Sequence, residues 1–201
     1  MSEALRVGIA GLGTVGASVA RVLAHKADEL TRQCGRPIVV AGVSARDRGR
    51  DRGVDLSGAR WFEDPVALAG WDGIDVFVEL IGGDGGAAHD SVRTALEAGR
   101  HVVTANKALL ARHGLSLAEI AEGKGVLLNY EAAVAGGIPV IKTMREALAG
   151  NAISRVFGIL NGTCNYILTR MEAEGISFEE CLADAQRLGY AEADPTFDIE
   201  G

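Results

Sequence analysis

LRVGIAGLGTVG, residues 5–16, decides the fold. A β-rich apolar run, Leu5–Ala10, gives way directly to Gly11, Gly13 and Gly16, and a helical pattern opens on the last of them. This is the strand, glycine turn and helix in register that a dinucleotide-binding βα unit requires. Gly11 permits the tight turn, Gly13 lets the backbone approach a pyrophosphate, and Gly16 lets the helix pack on the strand. Leu12, Thr14 and Val15 complete the turn and place the helix amino terminus, with its unpaired N–H groups, toward the phosphates.

Downstream, apolar runs alternate with helical patterns as far as Tyr130. A helix is expected from Val15 to Leu30, then IVVAGVS, a short helix at Pro65–Ala69, IDVFVEL, a helix at Ala87–Ala98, HVVTA, a helix at Leu115–Ala121, and VLLNY. The strands are continuous apolar runs without strict alternation, as expected when helices cover both faces of a sheet. The fold class is therefore α/β, a Rossmann-type doubly wound parallel sheet. After Tyr130 the texture changes to EAAVAGGIP, an amphipathic helix, a strand within ISRVFGILNG, and helices at Asn165–Ala173 and Phe178–Leu188. The expected organisation is a nucleotide-binding domain over 1–133 and the start of a second, α+β domain over 134–201.

Composition narrows the function. The 201 residues are 48% hydrophobic and 23% charged, with a net charge of −7. An acidic chain offers no basic face for a nucleic-acid backbone or an anionic membrane. No basic region followed by an apolar run and a cleavage site opens the chain, and no apolar stretch reaches membrane-spanning length, so a cytoplasmic protein is expected. Cys34, Cys164 and Cys181 lie far apart, outside any metal-ligand spacing, and read as small buried hydrophobes.

Site residues are sought at the carboxyl ends of the strands, where open α/β sheets bind ligands. The second strand ends in Ser44, with Arg46 where an enzyme preferring NAD places an acid; a small residue followed by arginine suits a ribose 2′-phosphate, so NADP is the expected cofactor, with Arg46 and Arg48 as ligands and NAD as the alternative. RDRGRDRG (46–53) reads equally as a solvated loop. VELIGG (78–83) places Ile81 and Gly82 at the next strand end, and VVTANK (102–107) places Lys107 at the one after. Near a nicotinamide, the Lys107 ammonium could orient a substrate oxygen and relay a proton; its alternative is a surface lysine at a helix start. EAAVAGGIP is a backbone-defined turn that serves as a hinge or a ligand site. Asn161, Gly162 and Thr163 form a strand-to-helix turn able to hold a carboxylate or amino group. Cys164 lacks a visible activator and is not read as a nucleophile.

Taken in order, GLGTVG, VELIGG, VVTANKALL, EAAVAGGIP, NGTCNYIL and GYAEADPTFDIEG resemble homoserine dehydrogenase over essentially the whole chain. The last three together are specific to that family. The resemblance implies NAD(P)-dependent interconversion of L-homoserine and L-aspartate 4-semialdehyde, in threonine and methionine biosynthesis, with Lys107 at the nicotinamide and substrate. It implies that Glu192 binds the substrate amino group, with Gly189 and Asp194 close by. It also implies a monovalent cation, sodium, held by the carbonyls of Glu131, Val134, Gly136 and Ile138, and a homodimer at full length. Members of the family continue past the equivalent of Gly201 with an aspartate and a second lysine, so an amino-terminal fragment is expected. A non-catalytic NADP-binding module and a dehydrogenase acting on another small substrate such as aspartate are the competing readings.

Overall fold

The computed structural model describes residues 3–158, 162–188 and 191. The chain divides into two compact units, 1–149 and 150–201.

The first unit is built on six parallel strands: β1 (Leu5–Ala10), β2 (Ile38–Ser44), β3 (Arg60–Phe62), β4 (Val76–Glu79), β5 (His101–Thr104) and β6 (Leu128–Asn129). Their spatial order is β3-β2-β1-β4-β5-β6. The order reverses between β1 and β4, which pair from Val7↔Val76 to Ala10↔Glu79. A crevice opens at such a reversal because the connections leaving the two strands run to opposite sides. The expected fold class therefore holds.

The helices of this unit are α1 (Thr14–His25), α2 (Ala27–Cys34), α3 (Pro65–Gly70), α4 (Ala87–Glu97), α5 (Lys107–Lys124) and α6 (Glu131–Val134), followed by a short α7 (Val140–Lys142) that runs into a π-helical turn over Thr143–Ala147. Two apolar clusters lie against the sheet. One gathers Leu68, Ile74, Phe77, Leu96, Leu109 and Leu117, and the other gathers Val7, Ile9, Leu12, Ala20 and Val43. Gly42 lacks a Cβ where one would press on Leu68 and Trp71, so α3 can lie close to β2.

Several elements differ from the sequence expectation. The single helix expected over Val15–Leu30 is two, jointed at Lys26. β3 is an unanticipated three-residue edge strand. α5 starts well before Leu115 and ends shortly after Ala121; Gly114 is tolerated within it, and Asn106 caps its start by accepting from Leu109 N. The first unit also continues past the expected boundary at 133/134. The Glu131 carboxylate accepts from Ile141 N and Lys142 N, and Arg145 donates to the Leu128 carbonyl, which ties 139–147 back to β6.

In the second unit α8 (Gly162–Glu174) and α9 (Phe178–Arg187) enclose Ile167, Cys181 and Ala185. Ser177 and Glu180 form a reciprocal capping box that starts α9. Arg170 braces the pair, donating to Glu174 and to Asp184. These bonds hold both carboxyls below their ordinary range and raise the guanidinium. Of the strand expected within residues 153–162, residues 153–157 take no regular structure, with Val156 and Phe157 exposed, and 159–161 lie outside the described residues. A strand exists only by pairing, and β-propensity alone cannot supply the partner. Of the three cysteines only Cys181 is buried; Cys34 is exposed and Cys164 intermediate.

Candidate functional site

The loops leaving β1, β2 and β4 meet at the switch point. Gly11 follows β1 with φ +92°, and a Cβ there would strike the Leu80 carbonyl of the neighbouring turn. A side chain is thus excluded twice, by the dihedral and by the contact. A Cβ on Gly16 would collide with the Gly11 carbonyl, so the first turn of α1 sits directly against the end of β1. Gly13, the N-cap of α1, faces open space, with nothing within 4 Å of its absent Cβ. Gly11 and Gly16 therefore make the turn and the helix packing that their spacing implied, and Gly13 leaves its backbone open.

A cleft of about 480 Å³ opens over this turn, lined by Gly11, Leu12, Gly13, Ser44, Arg46 and Ile81 among others. Six of the expected cofactor residues come together there. Thr14 borders an adjoining depression with Arg21 and Arg50. Val15 is exposed on the second position of α1, Gly82 has φ +84° in the turn after β4, and neither lines the cleft. Lys107 is exposed at the first position of α5, outside the cleft lining.

The arginine-rich loop is organised rather than uniformly solvated. Arg52 donates to the Leu12 carbonyl at 3.2 Å, to the Arg50 carbonyl at 2.6 Å and to the Asp47 carbonyl. Arg21 donates to the Arg52 carbonyl at 3.2 Å and to Ser18 Oγ at 2.8 Å. The loop is thereby pinned to the glycine turn. Arg48, expected beside Arg46 as a phosphate ligand, lies over the Trp61 ring at 5.6 Å, and Arg52 lies 5.4 Å from the same ring centroid. Arg46 and Arg50 are the two arginines of the tract that line the cleft apart from the bonded Arg52. Four arginines alternating along one loop cannot be ranked from the sequence, because Trp61 and the Leu12 carbonyl are distant in it. Cleft and charge fit a dinucleotide phosphate: open backbone at Gly13 and guanidinium groups beside Ser44.

The β4 and β5 ends carry residues whose importance the sequence reading did not single out. Glu79 is fully buried. Its Oε1 accepts from Ile81 N at 2.7 Å and Gly82 N at 3.2 Å, and its Oε2 accepts from Thr104 Oγ1 at 2.5 Å. Thr104 Oγ1 accepts from Asn106 N at 3.0 Å, and Asn106 Nδ2 donates to the Gly83 carbonyl at 2.6 Å. One signal was available: a glutamate and a threonine ending otherwise apolar strands.

The turn proposed for a cation begins in α6. Glu131 engages its carboxylate with the α7 backbone, which leaves its carbonyl as the donor there. That carbonyl accepts from Ala135 N, and the Ile138 carbonyl accepts from Val140 N. Each carbonyl oxygen keeps a second lone pair, so an all-oxygen set from Glu131, Val134, Gly136 and Ile138 fits a hard cation. In the second unit Thr163 falls within the first turn of α8 rather than in a preceding loop. Gly189, Glu192, Asp194 and Asn161 lie outside the described residues. Among the described residues no helix is long and apolar enough to cross a membrane.

Comparison with known proteins gives this arrangement a family. Residues 11–149 match the family model for the homoserine dehydrogenase NAD binding domain, and residues 139–201 match that for homoserine dehydrogenase. The chain is 47% identical over 197 residues to the homoserine dehydrogenase of Neisseria gonorrhoeae, covering 98% of this chain and 45% of the relative. It is 51% identical to that of Pseudomonas aeruginosa, again with 98% and 45% covered. The crystal structure of a homoserine dehydrogenase from Thiobacillus denitrificans superposes with a TM-score of 0.88 at 46% identity, over 98% of this chain and 45% of that one. A hyperthermophilic archaeal homoserine dehydrogenase solved in complex with NADPH superposes with a TM-score of 0.82 at 28% identity, over 99% of this chain and 66% of that one. The chain thus spans a little under half the length of the curated relatives it matches. From fold, glycine turn and these matches together, the chain belongs to the homoserine dehydrogenase family.

Proposed function

We propose that the chain carries the NADP(H) site and part of the substrate site of a homoserine dehydrogenase, interconverting L-homoserine and L-aspartate 4-semialdehyde. The observation that carries this reading is the cleft at the β1/β4 switch point, where the open backbone of Gly13 meets Ser44, Arg46 and Arg50. Ser44 leaves room for a ribose 2′-phosphate, and Arg46 and Arg50 supply its counter-charge. The nicotinamide, when bound, takes or gives the hydride. Lys107, at the start of α5, holds the substrate oxygen and moves its proton. Glu192, with Gly189 and Asp194 close by, receives the substrate ammonium group, and Thr163 contributes a hydroxyl at the start of α8. A monovalent cation, sodium, orders the 131–138 turn through its four carbonyls. The division of labour places the cofactor and Lys107 on 1–133 and the remaining substrate contacts on 134–201. The reading implies a cytoplasmic protein, and family membership implies a homodimer.

The test is a fluorescence titration of the chain with NADPH and NADH, followed by an assay of NADP reduction driven by L-homoserine. Saturable NADPH binding with weaker NADH binding is expected, and a chain that binds neither sinks the proposal. The cleft, whose lining lies wholly within the unit 1–149, also suits a second reading, a nucleotide-binding module without turnover. NADPH binding without any L-homoserine-dependent reduction selects that reading.

A further inference from the structure

A fully buried glutamate at the carboxyl end of a parallel strand calls for a reason. Glutamate is among the residues least often fully buried, and an apolar side chain of similar size at this position of the core would carry no desolvation cost. Glu79 is 0% exposed and closes β4 beside the switch point. Its three side-chain donors, Ile81 N, Gly82 N and Thr104 Oγ1, are all uncharged. The arrangement uses both oxygens and spans two strand ends. One oxygen gathers the turn after β4, and the other reaches across to β5 through Thr104. Thr104 hands the connection on to Asn106 N, and Asn106 returns to the Gly83 carbonyl with Nδ2 while capping α5 with Oδ1. The ring Glu79, Thr104, Asn106, Gly83 is closed, and Lys107 is the first residue of the helix it caps.

We propose that Glu79 is a positioning residue: by bridging the Ile81–Gly83 turn to Thr104 and Asn106, it sets the surface that receives the nicotinamide half of the dinucleotide and fixes Lys107's helix start relative to it. The inference rests on the dinucleotide reading of the cleft. A carboxylate serves both strand ends as they stand, since the turn presents N–H groups and Thr104, whose oxygen accepts from Asn106 N, turns its O–H toward Glu79. Ile81, the cleft-lining residue of the turn, is held by the shortest of the carboxylate's backbone bonds. The adenosine side of the cleft, Ser44 to Arg52, shares no bond with this ring. Disturbing Glu79 therefore weakens one half of the ligand's site and spares the other.

That asymmetry is the test, because general damage to the fold would not respect it. The wild-type chain, Glu79→Gln, Thr104→Val and Thr104→Ser are titrated with NADPH and with adenosine 2′,5′-bisphosphate, which carries the adenosine half alone. Glutamine keeps the shape but turns an N–H group toward Thr104, and valine deletes the hydroxyl. Both variants should weaken NADPH about tenfold, the scale of one buried hydrogen bond, and leave the bisphosphate within about twofold. Thr104→Ser, which retains the hydroxyl, should bind both as wild type does. Circular dichroism and melting accompany each titration; if Glu79→Gln does not fold, the valine and serine pair decides. Equal weakening of both ligands by the variants that fold, or no change in NADPH affinity, overturns the inference while leaving the cofactor site standing. A wild-type chain that binds neither ligand overturns the cofactor site and this inference with it.

Discussion

At the scale of a single residue, the proposed cofactor choice is tested at Arg46. It lines the cleft two residues beyond Ser44, where an acidic side chain would repel a 2′-phosphate, and Arg50 lines the same cleft. Arg46→Ala should raise the NADPH dissociation constant by roughly 10- to 100-fold, the equivalent of a charge-assisted hydrogen bond, and leave NADH within about twofold. Equal losses for the two cofactors would assign Arg46 to the pyrophosphate or to the loop's own order. Arg48→Ala should do far less, since that side chain stacks on Trp61. Lys107 is tested differently. In any form of the protein that oxidises L-homoserine, Lys107→Ala should lower kcat by about 100-fold or more and leave the NADPH dissociation constant within about twofold. A large loss of NADPH affinity with kcat intact at saturation would make Lys107 a nucleotide anchor.

At the scale of elements, β1 was legible because its glycines are local instructions: Gly11, Gly13 and Gly16 specify a turn whose geometry needs no distant partner. β4 and β5 were legible as apolar runs. β3 was not, because Arg60–Phe62 becomes a strand only through its register with Gly42–Ser44. The ring around Glu79 was invisible for the same reason: its members are 25 residues apart in the Glu79–Thr104 bond. Local caps, by contrast, can be read directly. Ser177 with Glu180 starts α9, and Ser177→Ala should destabilise the second unit by about 0.5 to 2 kcal/mol in denaturant unfolding. Between elements, Asp75 accepts from Arg6 N, Nε and Nη2, joining the loop before β4 to β1. The Arg6 hydrogen bonds hold the Asp75 carboxyl below its ordinary range. A carboxyl lowered by folding contributes stability above its unfolded value, about 3.9, and loses it as pH falls through the folded value. Acid unfolding should therefore show a Asp75-dependent loss below about pH 4, and Asp75→Ala should flatten that limb. An unchanged acid limb in the variant would show that other carboxyls govern it.

At the scale of the whole molecule, every described residue assigned to the cofactor lies in the unit spanning 1–149, and α8 and α9 lie in the other. The cofactor should consequently act on the two units unequally. A ligand that binds only the folded state stabilises it in proportion to the logarithm of its saturation, about 2.7 kcal/mol at 100 times the dissociation constant. Amide exchange reads where that stabilisation falls, because each backbone N–H reports the opening of its own segment. Saturating NADPH should slow exchange across 9–16, 44–53 and 79–83, the three strand ends at the cleft. The amides of Ile81 and Gly82 should respond most among the last group, since their N–H groups are already held by Glu79 and open only when that turn opens. Exchange in α8 and α9 should stay unchanged at the same NADPH concentration, their order resting on the capping box and on the Arg170 brace. Uniform protection of both units would mean that the cofactor couples them, and that the site extends into the unit carrying Thr163.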